Sequence, residues 1–452
     1  MLSRRAFLTR TSAAAGGLAL AAAGCSGDGA DGDAEGNPSG TGSGSGTTAA
    51  GRGADLDPTD WASVRAQFPL TDDVARFAAF VLAAHPRPVA DAIARHRAGL
   101  DEDTEAYLAA TETEAETAVR DAAAAYLGVD AAEVGLTDST TMGLGLLYGG
   151  LRVPTGREVL TTEHDFFSTH QAWALRAARD GVTVRRARLY DDPASATADE
   201  VVGRLMAQVT PATRVVAVTW VHSGTGVKLP VRAIADGLAG ANAGRAPDDR
   251  ALLCVDAVHA LGVEDVDLPD LGCDFLVAGT HKWLFGPRGT GIVWGRADAW
   301  GQVDAAVPAF EPSSFGEWRN GLPPAPMDGW RFTPGGYHSF EHRWALAEAF
   351  AFHREIGRDR VAARVAEQAT ALKAGLAEID GITVVTPADP AMSAGIVCFD
   401  VEGADPPTVL GRMADAGYQG SVTPYATAHV RVGPSIVTSP DEVDGLLEAL
   451  RG

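Results

Sequence analysis

The chain has 452 residues, 46% of them hydrophobic, and its formal net charge is −22. The apolar fraction is ample for a sizeable core, and the acidic balance argues against a nucleic-acid-binding protein, which needs a basic surface. None of the four cysteines belongs to a C-x-x-C or mixed Cys/His pattern, so no metal site is predicted.

The first 25 residues have the pattern of an export signal. Arg4 and Arg5 lie near the start, and a short apolar stretch follows from Ala13 to Ala23. Adjacent arginines are typical of twin-arginine signals, and the run A-A-G-C that ends at Cys25 resembles a lipobox. We therefore predict export of a folded protein and a lipid anchor at Cys25 on the outer face of the cytoplasmic membrane. A soluble exported protein cut nearby is the alternative.

Three further regions follow the leader. Residues 26–58 are mainly Gly, Ser, Thr, Ala and Asp with almost no large apolar side chain, so they are predicted to form a disordered linker. The remaining sequence exceeds the usual size of one domain. We expect a large domain over residues 59–335 and a smaller domain over residues 336–452.

Short apolar runs alternate with helical patterns along the large domain. Strand-like runs occupy residues 158–160, 182–188, 215–221, 251–255, 275–278 and 291–294. This alternation favours βαβ units and a mostly parallel sheet, so the predicted fold class is α/β. Beyond residue 338, helical patterns and the strand-like runs 382–385, 395–400 and 429–432 indicate a separate α/β lobe.

Polar residues follow several of these strands. Thr140 and Thr141 precede an apolar, helix-like run, where backbone N–H groups and hydroxyls can cradle a phosphate. The same hydroxyls are also ordinary helix caps. His164 follows another short strand, where its imidazole could stack on a planar ring.

An aspartate and a lysine follow two later strands. Asp256 ends a buried apolar strand, at the side of an open sheet where ligands collect, and a pyridinium nitrogen needs such an anionic partner. His259, three residues on, would face the same cavity, although a core histidine is the commoner case. Lys282 lies between a strand-like run and a glycine-rich loop. Lysine amines form Schiff bases with carbonyl substrates and with pyridoxal phosphate. An ordinary loop lysine is the simpler interpretation of Lys282 alone.

In chain order the motifs are T-T, E-H, S-G-T-G, D-A-V-H-A and T-H-K-W-x-F-G-P-x-G-T-G. Together they resemble the class V aminotransferases, a family of fold-type I pyridoxal-phosphate enzymes that includes cysteine desulfurases and isopenicillin N epimerase-like proteins. The similarity extends from about Trp61 to the C-terminus. It implies a large domain with a mostly parallel, seven-stranded-type sheet and a smaller C-terminal α/β domain to which the N-terminal segment contributes. It also implies a homodimer.

The resemblance assigns roles around the cofactor, pyridoxal 5'-phosphate. Lys282 would be the Schiff-base lysine, Asp256 the partner of the pyridine nitrogen, and His164 the residue stacked on the ring. His259 would hydrogen-bond the ring hydroxyl, and Ser223 stands near it, where many members carry Asn.

Other assigned residues lie at the phosphate and at the substrate. Thr140, Thr141 and His281 would hold the phosphate, and Thr280 would supply the hydroxyl that a serine gives in many relatives, since this chain has Gly279 there. The loop that contains Thr290 would reach the partner's phosphate in the dimer. Arg431 would clamp a substrate carboxylate, a surface arginine on a strand being the alternative.

The implied reaction begins when Lys282 removes the α-proton of an amino acid or a small amine. Transamination, epimerisation and β-elimination remain open. No cysteine occurs in the segment 417–430, where a desulfurase would carry its nucleophile, so a persulfide route is disfavoured. We expect an aminotransferase- or epimerase-like enzyme, with a C–S lyase as the rival. A non-catalytic lipoprotein that binds cofactor or amino acid is the alternative from another class.

Overall fold

A computed structural model of the protein describes residues 55–452. The predicted leader, Cys25 and almost all of the predicted linker lie outside the described residues, so these assignments stay predictions. No helix within residues 55–452 is long and apolar enough to cross a bilayer.

Strands and helices alternate along most of the described chain. The strands are β1 (Ala75–Arg76), β2 (Val134–Thr137), β3 (Glu158–Thr162), β4 (Thr183–Ala187), β5 (Thr213–Thr219), β6 (Leu252–Asp256), β7 (Phe275–Gly279), β8 (Gly291–Gly295), β9 (Ile382–Val384), β10 (Val397–Val401), β11 (Tyr418–Gln419), β12 (Ser421–Val422) and β13 (Val430–Val432). The helices of the N-terminal half are α1 (Trp61–Arg65), α2 (Arg87–Glu102), α3 (Thr104–Leu127), α4 (Thr140–Gly150), α5 (Phe167–Asp180), α6 (Ala198–Met206) and α7 (Val231–Ala241).

The remaining helices lie in the second half of the chain. They are α8 (Leu268–Leu271), α9 (Pro312–Asn320), α10 (Gly329–Phe332), α11 (Phe340–Trp344), α12 (Leu346–Ile356), α13 (Arg358–Ala377), α14 (Pro406–Asp415) and α15 (Pro440–Arg451). Ala345 separates α11 from α12.

A seven-stranded sheet organises the large part of the molecule, in the order β2-β8-β7-β6-β5-β3-β4. Strands β4, β3, β5, β6 and β7 are parallel, and β8 is antiparallel to both of its neighbours. The predicted α/β fold with a mostly parallel sheet is therefore confirmed. Every residue of β5, β6 and β7 is buried, as expected where helices cover both faces of a sheet.

Alternate residues of the central strands point to opposite faces. In β5 and β6, Val216, Val218 and Val255 join one core cluster, whereas Val215 and Cys254 join another. Continuous apolar runs thus supply both cores at once. Thr162, Thr219 and Asp256 lie at the C-terminal ends of β3, β5 and β6, and these parallel strands end with β7 at one edge of the sheet.

A second, antiparallel sheet lies in the C-terminal part of the chain. Its order is β12-β13-β10-β9, and a third cluster of buried side chains packs beneath it, including Leu372, Phe399 and Leu446. The N-terminal segment joins this region because β1 pairs in parallel with β11. The predicted boundary at residue 335 stays a prediction.

Candidate active site

The buried Asp256 and the half-buried Lys282 form the centre of the site. Asp256 ends β6, is 2% exposed, and accepts a hydrogen bond from Val258 N at 3.1 Å. Burial raises the pKa of Asp256, and the nearby charge of Lys282 opposes that rise. Burial lowers the pKa of Lys282, Asp256 opposes the change, and Arg431 adds to it. Each residue thus acts on the other's charge, and the pair titrates together.

The turn after Lys282 is tight. Phe285 N donates to Lys282 O at 2.9 Å, and Gly286 N donates to Thr280 O at 2.8 Å. Phe285 has φ 56°, a left-handed conformation that is uncommon outside glycine, and its ring packs at 5.0 Å from that of Phe68. Packing of a large buried ring therefore maintains the backbone that presents Lys282.

Asp165 is a buried carboxylate that the sequence analysis did not identify. It accepts hydrogen bonds from Thr161 Oγ1 at 2.5 Å, Thr162 N at 2.7 Å and Thr219 N at 2.8 Å. It therefore ties the end of β3 to the end of β5. Its charge also raises the pKa of Asp256. An acid directly after the T-T-E-H motif was the available signal.

His164 lies against Tyr190 in a stacked pair. The ring centroids are 3.9 Å apart and the planes differ by 15°. Leu189 N donates to His164 Nε2 at 3.1 Å, and burial lowers the pKa of His164 to about 4. The imidazole is therefore neutral and at most one of its faces remains for a cofactor ring. Tyr190 is held in turn, because its Oη lies 2.8 Å from Nδ1 of the buried His222.

His259 is a neutral hydrogen-bond donor. Trp283 Nε1 donates to His259 Nδ1 at 3.4 Å, and burial with the charges of Lys282 and Arg431 lowers the pKa of His259 well below its usual value. With Nδ1 accepting, the proton lies on Nε2. That nitrogen can donate to a ring hydroxyl, the role that the resemblance implies.

The N-terminus of α4 forms an anion cradle. Thr140 Oγ1 accepts from Gly279 N at 2.7 Å, and Thr141 Oγ1 lies 2.8 Å from Ser168 Oγ. His281 Nδ1 is buried and has no hydrogen-bond partner among residues 55–452. A Cβ at Gly279 would lie 2.9 Å from His281 Cε1 and 3.0 Å from Thr140 Oγ1. Glycine thus permits this close approach, and an orphaned nitrogen beside a helix N-terminus fits a phosphate.

The side chains of Thr280 and Thr290 form a hydrogen bond with each other within the loop. Their Oγ1 atoms lie 2.5 Å apart, and Thr290 Oγ1 donates to Pro287 O at 2.5 Å. Both residues are buried. The hydroxyls therefore maintain the shape of the loop, and a role for either at the phosphate stays a prediction.

Arg431 lies in β13 and is 7% exposed, so it is not a surface arginine. Nη1 donates to Ser223 O at 3.0 Å, Nε donates to Ser421 Oγ at 3.0 Å, and the guanidinium lies 4.5 Å from the ring centroid of Phe80. Within the described chain no carboxylate pairs with Arg431, and its charge lowers the pKa of Lys282. A buried guanidinium without an anion is ready to receive one.

The three cysteines within residues 55–452 are not suited to nucleophilic chemistry. Cys254, Cys273 and Cys398 are buried, and burial raises the pKa of each. Such thiols are inert nucleophiles. No group of three or more His, Cys, Asp or Glu residues suited to a metal ion occurs among the described residues.

A match to the family described as Aminotransferase class-V spans residues 85–418 of this chain. The chain belongs to the class V aminotransferase family. It is 26% identical to an isopenicillin N epimerase of Streptomyces clavuligerus over 341 residues, covering 73% of this chain and 82% of the relative. It is 27% identical over 296 residues to a probable cysteine desulfurase of Methanothermobacter thermautotrophicus, covering 64% and 67%.

Solved structures share the fold. A lysine variant of C-DES, with glycine covalently linked to its PLP cofactor, matches with a TM-score of 0.75 and 21% identity, covering 86% of this chain and 98% of that chain. The same protein, a cystine C-S lyase, has been solved with its product cysteine persulfide and gives a TM-score of 0.74 at 21% identity, with 85% and 99% coverage. Pyridoxal 5'-phosphate is the cofactor, as predicted. The buried acid, the neutral histidine donor and the anion cradle fit its ring nitrogen, ring hydroxyl and phosphate.

Proposed function

We propose that this class V, PLP-dependent enzyme acts at the Cα of a small α-amino acid, in an epimerase- or aminotransferase-like reaction. The observation that carries the proposal is Arg431, a buried cation without a carboxylate partner in the described chain, whose charge acts on Lys282. An α-amino acid has a carboxylate that can pair with the Arg431 guanidinium and a Cα–H that can give its proton to the Lys282 amine.

When bound, PLP supplies an electron sink for negative charge at Cα. Arg431 would hold the substrate carboxylate and thereby orient Cα. Lys282 would take the α-proton, and its lowered pKa increases the fraction of neutral amine that can do so. Asp256 would keep a proton on the ring nitrogen, and His259 would donate to the ring hydroxyl from Nε2.

The site excludes bulk water from these groups. Asp256 and His259 are buried, and the neutral His164 adds an uncharged aromatic wall with Tyr190 behind it. In such surroundings each electrostatic contact is stronger than in water. The lysine with its acid partner also counts against the alternative of a non-catalytic binder, which has no need of a Schiff-base lysine.

Product analysis tests the proposal. Purified holoenzyme would be incubated with a panel of amino acids, each alone and with pyruvate as amino acceptor. An inverted stereoisomer would indicate epimerisation, and a keto acid with alanine would indicate transamination. Lys282→Ala should abolish either product. If no amino acid is converted while the cofactor remains bound, the proposed reaction is wrong.

A C–S lyase is the second candidate. Cysteine desulfurases are among the relatives, and β-elimination needs the same α-proton removal without any thiol nucleophile. Release of sulfide or persulfide from cysteine or cystine, with pyruvate and ammonia, would support this candidate over the first.

We further propose that the enzyme is exported folded by the twin-arginine route and anchored through Cys25. Because that route carries folded proteins, cofactor could be bound before crossing. Replacing Arg4 and Arg5 by lysine should retain the protein in the cytoplasm, and Cys25→Ser should release the exported protein from membranes. Cell fractionation checks both outcomes, and an unchanged distribution would contradict the proposal.

A homodimer is also proposed. The exposed side chains of Met142, Phe167 and Leu175 lie on α4 and α5, the helices nearest the anion cradle, and Arg288 is exposed at the loop expected to reach a partner. A second copy would cover these apolar side chains. Light scattering on the purified protein should give twice the chain mass, and a monomer at micromolar concentration would contradict this.

A further inference from the structure

The loop between β12 and β13 presents a tyrosine to the candidate active site. At its base Thr423 N donates to His429 O at 2.9 Å, and His429 N donates to Thr423 Oγ1 at 2.9 Å. His429 Nδ1 lies 2.8 Å from a carboxylate oxygen of Asp400. Near the tip, Ala426 and Thr427 are exposed while Tyr425 is half-buried. The loop is thus held at its base, and the Tyr425 side chain reaches Ser223 from near its tip.

The Tyr425 phenol is fixed on the chain segment that follows β5. Its Oη lies 2.6 Å from Ser223 Oγ. A Cβ added at Gly224 would lie 3.0 Å from two ring carbons of Tyr425, so the ring packs directly on glycine backbone. Phe166 contacts it edge-on, with ring centroids 6.2 Å apart. Burial and the charges of Asp165 and Asp256 raise the pKa of Tyr425, so the phenol stays protonated.

Ser223 connects this tyrosine to the substrate-binding cation. Ser223 O accepts the hydrogen bond from Arg431 Nη1 at 3.0 Å, while Ser223 Oγ faces Tyr425. Phe80 covers one face of the guanidinium, and Ser421 Oγ accepts from Nε. Tyr425 therefore holds the Ser223 side chain, and the Ser223 carbonyl in turn holds Arg431. Displacement of Ser223 would move the partner that orients Nη1.

We propose that Tyr425 is a positioning residue for carboxylate recognition, acting through Ser223 on Arg431. The inference rests on the proposed function, since it takes an α-carboxylate to be the anion at Arg431. It places Ser223 on the substrate side of the site, whereas the sequence resemblance placed it near the ring hydroxyl. It also gives a role to the loop in which a desulfurase would carry its cysteine.

The test compares two probes that differ only in the carboxylate, L-alanine and ethylamine. Binding of each to holoenzyme is measured by calorimetry, together with KM and kcat for L-alanine wherever turnover occurs. Tyr425→Phe should weaken L-alanine binding about tenfold, the equivalent of one positioning hydrogen bond, and leave ethylamine unchanged. Ser223→Ala should act in the same direction. Thr427→Ala, at an exposed position of the same loop, is the matched control and should change neither probe.

Three results would overturn the inference. Tyr425→Phe could weaken both probes equally, which indicates a general effect on the cavity. It could weaken neither. Wild-type enzyme could bind both probes equally, which would leave no carboxylate recognition to position. The proposed function fails separately, if wild-type enzyme discriminates the two probes yet converts no amino acid. Thermal melting of each variant shows whether a loss of binding follows a loss of fold.

Discussion

The two ends of the site are built differently. At the cofactor end, Asp256 is the last residue of β6, His259 follows that strand, and Lys282 follows β7. These two strands are parallel neighbours, and all of their residues are buried. The substrate end takes Arg431 and Tyr425 from the small sheet and its loop, and Phe80 from the N-terminal segment. In the proposed reaction, the ends of buried parallel strands would carry the chemistry, and a strand and loop of the small sheet would carry the recognition of the carboxylate. Substitutions should accordingly affect kcat at the first end and KM at the second.

The largest effect is expected at Lys282. Lys282→Ala removes the group that takes the α-proton, so kcat should fall by about 10⁴-fold or more and the visible absorption of the lysine-bound cofactor should disappear. Lys373→Ala is a matched control, since Lys373 is a buried lysine outside the site whose Nζ donates to Pro387 O and Ser393 Oγ. The control should lose stability and keep the absorption band. Loss of the band in both variants would contradict the assignment.

The two buried carboxylates at the cofactor end, Asp256 and Asp165, are expected to have different roles. Asp256→Asn should lower kcat by about 10²- to 10⁴-fold with little change in Tm, because burial already disfavours that charge. Asp165→Asn keeps the size but disturbs three hydrogen bonds, and should lower the free energy of unfolding by about 1–3 kcal/mol. Denaturant unfolding and steady-state kinetics on both variants check this division. If the two variants lost the same free energy of unfolding, this division between a catalytic and a structural carboxylate would be contradicted.

At the substrate end, Arg431→Gln should raise KM for amino acids. Loss of a buried guanidinium–carboxylate contact corresponds to about 2–5 kcal/mol, hence about 30-fold or more in kcat/KM. An amine without a carboxylate should be much less affected. If kcat for both substrates fell equally with KM unchanged, Arg431 would belong to the chemistry and the distinction between the two ends would fail.

The smallest effect concerns pH. In the substrate complex Lys282 must be neutral to accept the α-proton, so kcat should rise with pH through a pKa below the usual value of lysine. Because the charge of Arg431 contributes to that lowering, Arg431→Gln should move this limb of the profile to higher pH. A profile of kcat against pH for both enzymes measures the shift. Movement to lower pH would contradict the electrostatic account.

Sequence patterns indicated Asp256 and Lys282 more directly than the residues at the substrate end, for a physical reason. Asp256 and Lys282 each follow a buried apolar strand, and parallel strands bring such positions to one edge. Tyr190, Asp165 and Tyr425 belong to the site through contacts between segments distant in the chain, and no periodicity reveals them.

For the fold as well, buried strands were easier to predict from the sequence than exposed helices. Strands β5 to β8 were predicted within two residues, because buried parallel strands are continuous apolar runs. Helices α6 and α9 were not predicted. Helix α9 exposes Phe315 and Trp318 and has no fully buried residue, so it lacks the amphipathic period by which helices are found. Its N-cap, where Glu311 accepts from Ser313 N and Ser314 N, was the available signal.

The account depends most on one event, the transfer of the α-proton of a carboxylate-bearing amine to Lys282. Proton NMR of amino acids incubated with holoenzyme in D₂O measures it directly, whichever product follows. The α-proton signal of at least one amino acid should disappear with wild-type enzyme and persist with Lys282→Ala. If no α-proton exchanges with cofactor bound, or if exchange continues without Lys282, the central claim is contradicted.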